Sequence, residues 1–437
     1  MRARRAALRE YITGAMWILP TLSVLLALIA GSAISQIDIS AGSRLYFLTF
    51  QGTADDARTL LIAVTTTMVT VIALVLGLTV VAFQLSSTQY SPRLLRNFLR
   101  DRPNQVVLSM FVATFAYSAA GLYTVGVSGG SRTEEYPRLA VSGALLLTFA
   151  SLGALVYFTN HLAHSLQIDE IMRVVERRTL AVIRETVPGD DAEAEPWPEW
   201  AVPLPTERSG YVQAVHPEAM LPVAVAHAAQ VRFAVRPAVH VVVGTPIAWV
   251  WRVSADAETF ASEPFREVLK DAIKIGFERT TEQDAALGLR QLVDVASKAL
   301  SPAVNDPYTA VQAVHHLSVL ICALGSRRLG TYTVRDGASS VAVPAHTFAD
   351  YLRLTCAQIR RYGSSEPLLD LALLQLLSAC LTTVGGDTKR VAAILEQVRL
   401  VLVAAERTVT LTEDLAPVRT EAESLLARWS DEHGMGH

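Results

Sequence analysis

Lysine is nearly missing from this chain of 437 residues: it stands only at Lys270, Lys274, Lys298 and Lys389, and arginine supplies the rest of the 38 basic residues. Charge as a whole is scarce, at 18% of residues against 51% hydrophobic, and the net charge is −3. That balance leaves no basic footprint for nucleic acid and is charge-poor for a soluble globule. Cysteine is rare too. Cys322, Cys356 and Cys380 show no CxxC spacing, which excludes a disulfide framework and a zinc ribbon. Walker, HExxH, GxSxG and dinucleotide fingerprints are missing, so no cofactor, metal or catalytic residue is expected.

What the chain does have is long uncharged stretches near its start. Four apolar runs, at about 12–34, 59–85, 106–127 and 139–161, contain no Asp, Glu, Lys or Arg. A helix crosses the hydrocarbon core in about 20 residues, so each run suffices. The first follows Arg2, Arg4, Arg5 and Arg9 and ends in Gly31-Ser32-Ala33, a pattern shared with secretory signals; its length favours a span. Carboxylate transporters and arginine voltage sensors place charges inside the membrane, and these runs carry none.

The arginines set direction. Arg2 to Arg9, Arg93 to Arg102 and Arg173 to Arg184 form three clusters on one side, and the two other loops hold only Arg44, Arg58, Arg132 and Arg138. The positive-inside rule then predicts four spans with both termini cytoplasmic.

Residues 1–164 thus read as a transmembrane domain, and 165–208 as an amphipathic helix plus a linker ending in the acidic, proline-rich segment from Pro188 to Pro198. Residues 209–254 switch to short β-like runs (GYVQAV, VRFAV, VHVVV, PIAWVW) interrupted by a helix from Pro217 to Ala229. No lysine lies in this segment, which excludes a prosthetic group carried on a lysine arm. Residues 255–437 read as helices at about 264–277, 281–300, 306–327, 345–362, 365–384, 387–405 and 413–431, with a hairpin turning at Asp336-Gly337. The expected fold is an α-helical integral membrane protein with four transmembrane helices and a cytoplasmic α+β region. In that region a small β-barrel or sandwich precedes a helical bundle.

Three groups of residues are candidates for function. On the second span, Thr66, Thr70, Gly77, Gln84 and Thr88 fall in one narrow arc of small and polar side chains. Such a stripe suits helix–helix packing first, and a polar path between subunits as the alternative. Ser91-Pro92 starts a short helix that places Arg93, Arg96 and Arg100 at the membrane interface, beside headgroups or a pore mouth. In the soluble part, Arg290, Asp294 and Lys298 sit four apart, Ser301-Pro302 stops that helix, and Asn305 or Asp306 caps the next. This cluster serves either as local capping or as a seat for an anion or another domain.

The segments TTTMVTVIALVLGLTVVAFQLSSTQYSPRLLRNFLRDRPNQ, SGYVQAV and GLRQLVDVASKALSPAVNDPYTA resemble the bacterial predicted membrane proteins grouped as domain of unknown function 2254. The resemblance covers nearly the whole chain. It implies an inner-membrane protein with N-terminal spans and a large cytoplasmic domain, and it names no activity. The β segment departs from the family pattern near Ala234–Val243, where Arg236-Pro237 replaces a glycine turn. Two functions fit. One is a homo-oligomeric channel or transport-related protein, with a small ion passing along the second span. The other is a membrane-anchored scaffold or sensor whose cytoplasmic domain binds a partner or small anion. The partners expected are the lipid bilayer and further copies of the chain.

Overall fold

The structure, a computed structural model, describes residues 17–37, 46–89, 102–126, 136–165, 167–185, 189, 197–252 and 262–432. The chain divides into two compact units, Met1–Glu170 and Ile171–His437.

The N-terminal unit is helical: α1 (Ile18–Ile34), a 3₁₀ turn (Tyr46–Leu48), α2 (Ala54–Gln89), α3 (Arg102–Gly126) and α4 (Arg138–Ser165). Thr53 and Asp56 form a reciprocal cap at the start of α2: the Asp56 N–H donates to Thr53 Oγ1 and Thr53 N–H to Asp56 Oδ2. Helices α2, α3 and α4 are each long and apolar enough to cross a membrane. The 36 residues of α2 extend about 54 Å at 1.5 Å per residue, well beyond a hydrocarbon core of about 30 Å. Of the first expected span, Ile18–Ile34 is described and is an apolar helix, while residues 12–16 lie outside the described residues.

α3 is the hub, packing against α1, α2 and α4. Small residues let the backbones approach. A Cβ at Gly31 of α1 would stand 3.1 Å from Ala120 Cβ and 3.2 Å from the Tyr117 carbonyl oxygen, both on α3. Gly121 of α3 leaves room for Leu61 of α2. Thr114 of α3 and Ser151 of α4 share a buried hydrogen bond of 2.8 Å. Other hydroxyls fold back on their own helices, such as Thr65 to Leu61 O and Thr79 to Val75 O.

The C-terminal unit begins in helix α5 (Ile168–Glu185). It continues through β1 (Val202–Pro205), β2 (Gly210–Val215), α6 (Pro217–Ala226), β3 (Ala229–Phe233), β4 (His240–Val241) and β5 (Pro246–Arg252). Next come α7 (Glu263–Ala272), β6 (Ile273–Gly276), α8 (Ala285–Ala299), α9 (Pro307–Gly325) and the hairpin β7 (Tyr332–Asp336) and β8 (Ser339–Val343). The chain closes with α10 (Phe348–Gly363), α11 (Pro367–Thr383), α12 (Thr388–Thr408) and α13 (Thr412–Glu432).

The strands form no closed barrel. They make two open sheets, ordered β1-β5-β3-β8-β7 and β4-β2-β6. A barrel needs an unbroken ring of paired strands, and here β4, β6, β1 and β7 each pair on one side only. The two sheets share one core instead, with Leu204, Phe233, Ile247 and Val341 from the first meeting Val212, Val215 and Ile273 from the second. Met220 of α6 and Phe265 of α7 complete it. The pairing extends beyond residues 209–254. β1 comes earlier, and β6 takes Ile273–Gly276 out of the helix expected at 264–277, because the β-branched Ile273 and Ile275 draw this segment into pairing with β2. The hairpin at Asp336-Gly337 forms as the turn residues predict, and β8 adds parallel to β3.

α9 is also apolar and long enough for a span. Ala310, Ala313, Val314, Leu317, Leu320, Ile321 and Leu324 are fully buried, however, and it packs against α8 and α11. Its apolarity thus serves a bundle core. Arg390 of α12 donates to the carbonyls of Gly325 (2.7 Å) and Arg327 (2.8 Å), closing the C-terminus of α9. α5 buries Met172, Val175, Thr179 and Ile183 along one face and is pinned at Gly288 of α8, where an added Cβ would lie 2.8 Å from Thr179 Cβ.

Two stability predictions follow from this packing. Gly288→Val is expected to lower the unfolding midpoint of the full chain. Overpacking against Thr179 costs about 1–3 kcal/mol, more than the few tenths that Val gains over Gly in helix propensity; an unchanged midpoint in a thermal melt would refute the pinning. Asp370 of α11 is fully buried with neither carboxylate oxygen hydrogen-bonded, and burial, with Glu366 nearby, raises its pKa to about 8. The folded value lies above the unfolded one of about 3.9, so its contribution is fully present below pH ~4 and is lost as pH rises toward 8. Asp370→Asn should therefore melt well above wild type at pH 8 and level with it near pH 4, the gap growing by about 1.4 kcal/mol per pH unit in between.

Candidate functional site

On α2 the buried face is Ala57, Leu61, Val64, Met68, Val75 and Ala82. The expected stripe lies on the opposite side. Thr66, Thr70, Gly77 and Gln84 are exposed within the unit, and a Cβ at Gly77 would meet nothing within 4 Å. Among the described residues, packing within the chain does not account for Thr66, Thr70 and Gly77. Thr70 Oγ1 donates to Thr66 O at 3.3 Å, which helps to satisfy this hydroxyl within its own helix. The side chain of Thr88 lies outside the described residues, as do Arg93, Arg96 and Arg100.

The cluster at 290–306 resolves into local capping. Arg290 Nε lies 3.3 Å from Asp294 Oδ1 one turn on, and Lys298 is exposed. Asn305 adopts a left-handed φ of 50°, which asparagine tolerates, and its N–H donates to Ser301 O. Asp306 then caps α9, accepting from Thr309 N (3.1 Å) and Thr309 Oγ1 (2.6 Å). Its carboxylate already occupies the helix start, where an anion would be repelled. The Ser301 Oγ is buried without a hydrogen-bond partner.

The C-terminal unit has a cavity of about 110 Å³ that the sequence reading did not anticipate. Its wall comes from distant segments: Arg236-Pro237 after β3, Glu282 to Asp284 before α8, Gly330 and Tyr332 at β7, and His346 and Tyr351 at α10. Each is placed by a local rule. Asp284 is the N-cap of α8, accepting from Leu287 N at 3.1 Å, and binds Arg279 through Oδ2 at 2.7 and 3.0 Å. Burial pushes its carboxyl up, against Arg279 and these hydrogen bonds, which pull it down. His346 precedes the capping box of Thr347 and Asp350 that starts α10, and Tyr351 is one turn into that helix. Arg236 stands beside Ala238, whose φ of 77° is a conformation glycine would adopt more readily.

Arg236 Nε donates to His346 Nε2 at 3.2 Å. The imidazole therefore accepts at Nε2 and carries its proton on Nδ1. Burial, reinforced by the charge of Arg236, lowers the His346 pKa to about 4. Burial also raises the Tyr332 phenol to about 12 and drives Tyr351 higher still. Two acids of the wall are engaged, Asp284 with Arg279 and Glu282 with Lys274 at 2.8 Å.

Comparison with known proteins decides the family, because the model for "Predicted membrane protein (DUF2254)" matches residues 13–379. The chain belongs to this DUF2254 family. Uncharacterized proteins of Mycobacterium tuberculosis (Rv1290c) and Mycobacterium bovis (Mb1321c) are 45% identical to it over 428 residues. These matches span 96% of this chain and 81% of each relative. No solved structure matches it. Membership agrees with the apolar N-terminal helices and adds no chemistry to the cavity of this DUF2254 protein.

The signals for the cavity were present locally. An aspartate before an apolar run and Thr-x-x-Asp after His346 are each readable. Their convergence was not, since no spacing rule links positions 236, 284 and 346. His346 carries the prediction for this site. Its folded pKa lies below the free value of about 6.5, so its contribution is intact above pH 6.5 and is lost as pH falls toward 4, by up to roughly 3 kcal/mol. His346→Gln keeps an acceptor for Arg236 and cannot titrate; its melting point should fall less than wild type's between pH 7 and 4.5. Parallel acid limbs would show that the ring does not carry this linkage.

Proposed function

We propose that this DUF2254 protein is a homo-oligomeric channel or transport-related protein of the bacterial inner membrane, with both termini cytoplasmic. Copies meet across the outward face of α2, and a small ion passes along Thr66, Thr70, Gly77, Gln84 and Thr88. The observation that supports this reading is the exposure of that face. Thr66, Thr70 and Gly77 project away from the described helices of the same chain, beside the exposed Ile62, Val69, Leu76 and Val80. In lipid, a small-residue face gains dispersion and polar contact by meeting another helix. Hydroxyl-lined paths conduct without rings of charge, in keeping with uncharged spans. Orientation rests on the arginine distribution. The C-terminal unit is then the regulatory part.

The cavity in that unit favours a second reading, a membrane-anchored sensor whose helices only hold it at the bilayer. The two differ in what purified protein does. The first predicts a mass above one chain in lipid nanodiscs and ion flux in liposomes that Thr70→Leu or Gln84→Leu reduces at least tenfold with the assembly intact. A monomeric mass, or no flux under potassium, sodium, proton or chloride gradients, would overturn it.

A further inference from the structure

We propose that the cavity walled by Arg236, Tyr332, His346 and Tyr351 binds a small oxyanion, of the size of inorganic phosphate or a short-chain carboxylate. The inference concerns the C-terminal unit alone and does not depend on whether the membrane helices conduct.

Tyr351 makes the first part of the argument. Its side chain lines the cavity, the residue is 7% exposed, and its hydroxyl makes no hydrogen bond among the described residues. A phenol hydroxyl that lines a cavity with no protein partner is available to hydrogen-bond a guest there. His346 makes the second. With Nε2 taken by Arg236, its Nδ1 carries a proton, and that nitrogen is buried with no hydrogen-bond partner. The nearest carboxylate oxygen, on Asp350, is 4.0 Å away, beyond hydrogen-bond reach. Both groups are donors in their neutral forms, and neither has a protein acceptor among the described residues.

Charge supplies the third part. Arg236 hydrogen-bonds within the described residues only through Nε, leaving its two Nη groups without an acceptor. The buried acid of the wall, Asp284, is neutralised by Arg279, and Glu282 by Lys274. Glu185, the remaining acid of the wall, is exposed. The interior thus presents one guanidinium without a carboxylate partner, two further donors and a second phenol at Tyr332. That set matches the fork of two oxygens on a carboxylate or phosphate. The space of about 110 Å³ is somewhat smaller than a cavity that holds benzene, which is about 150 Å³, and limits the ligand to a handful of heavy atoms.

The test uses the full chain in nanodiscs, in chloride buffer of fixed ionic strength, titrated with inorganic phosphate and separately with acetate. The midpoint of unfolding is expected to rise by several degrees and saturate with one of the two, as mass action requires of a ligand that binds the folded state. Whichever anion saturates identifies the headgroup geometry. Arg236→Gln should abolish the shift. Tyr351→Phe, which removes one hydroxyl and keeps the ring, should raise the apparent Kd about fivefold to tenfold. Absence of a saturable shift with both anions overturns the proposal, as does a shift retained in Arg236→Gln. Should that variant not fold, an unchanged Kd in Tyr351→Phe overturns it instead.

Discussion

The carboxylate of Asp284 holds together much of what is specific to the C-terminal unit. It caps α8, binds Arg279 and forms part of the cavity wall. A carboxylate this buried is costly unless its oxygens are satisfied; here Arg279 and the Leu287 N–H supply the partners. Because Arg279 and the Leu287 N–H satisfy this acid, its negative charge is offset, and Arg236, also on the wall, keeps its Nη groups for another acceptor. Moving the cap would move the start of α8, and with it the Gly288 contact that seats α5.

In the N-terminal unit the organising constraint is different. Apolar side chains gain little by leaving lipid for one another, so close approach and polar contact decide which faces pair. Helix α3 meets both conditions, with Gly121 admitting Leu61 of α2, Ala120 beside Gly31 of α1, and Thr114 bonded to Ser151 of α4. α2 spends its apolar face on that hub and turns its hydroxyls and glycine outward. The helix that is most distinctive in sequence is thus peripheral within one chain. This placement is the reason for looking to a second copy for its partner.

The C-terminal unit joins two kinds of architecture through shared segments. The β7–β8 hairpin lies between α9 and α10 in sequence yet extends the sheet built from residues 202–252. The same crossing brings His346, just after β8, to Arg236, just after β3. The parallel pairing of β3 with β8 is therefore what assembles the cavity.

Much of this was legible in the residues. Charge-free runs marked α2, α3 and α4, since the cost of a charge in lipid is large wherever it falls. Proline, glycine and capping residues marked α9, α10 and the hairpin, because those signals act over three or four positions. The Asp306 cap and the Arg290–Asp294 pair were readable for the same reason. What the sequence could not supply was anything set by partners far along the chain: the choice of two open sheets over the barrel that stood beside a sandwich as an expectation, Ile273–Gly276 drawn from helix into strand, α3 as hub, and Arg236 brought to His346 across 110 positions. Local chemistry chooses each element. Only tertiary packing chooses which faces meet, because that choice depends on shape and hydrogen bonding between segments that no short-range pattern connects.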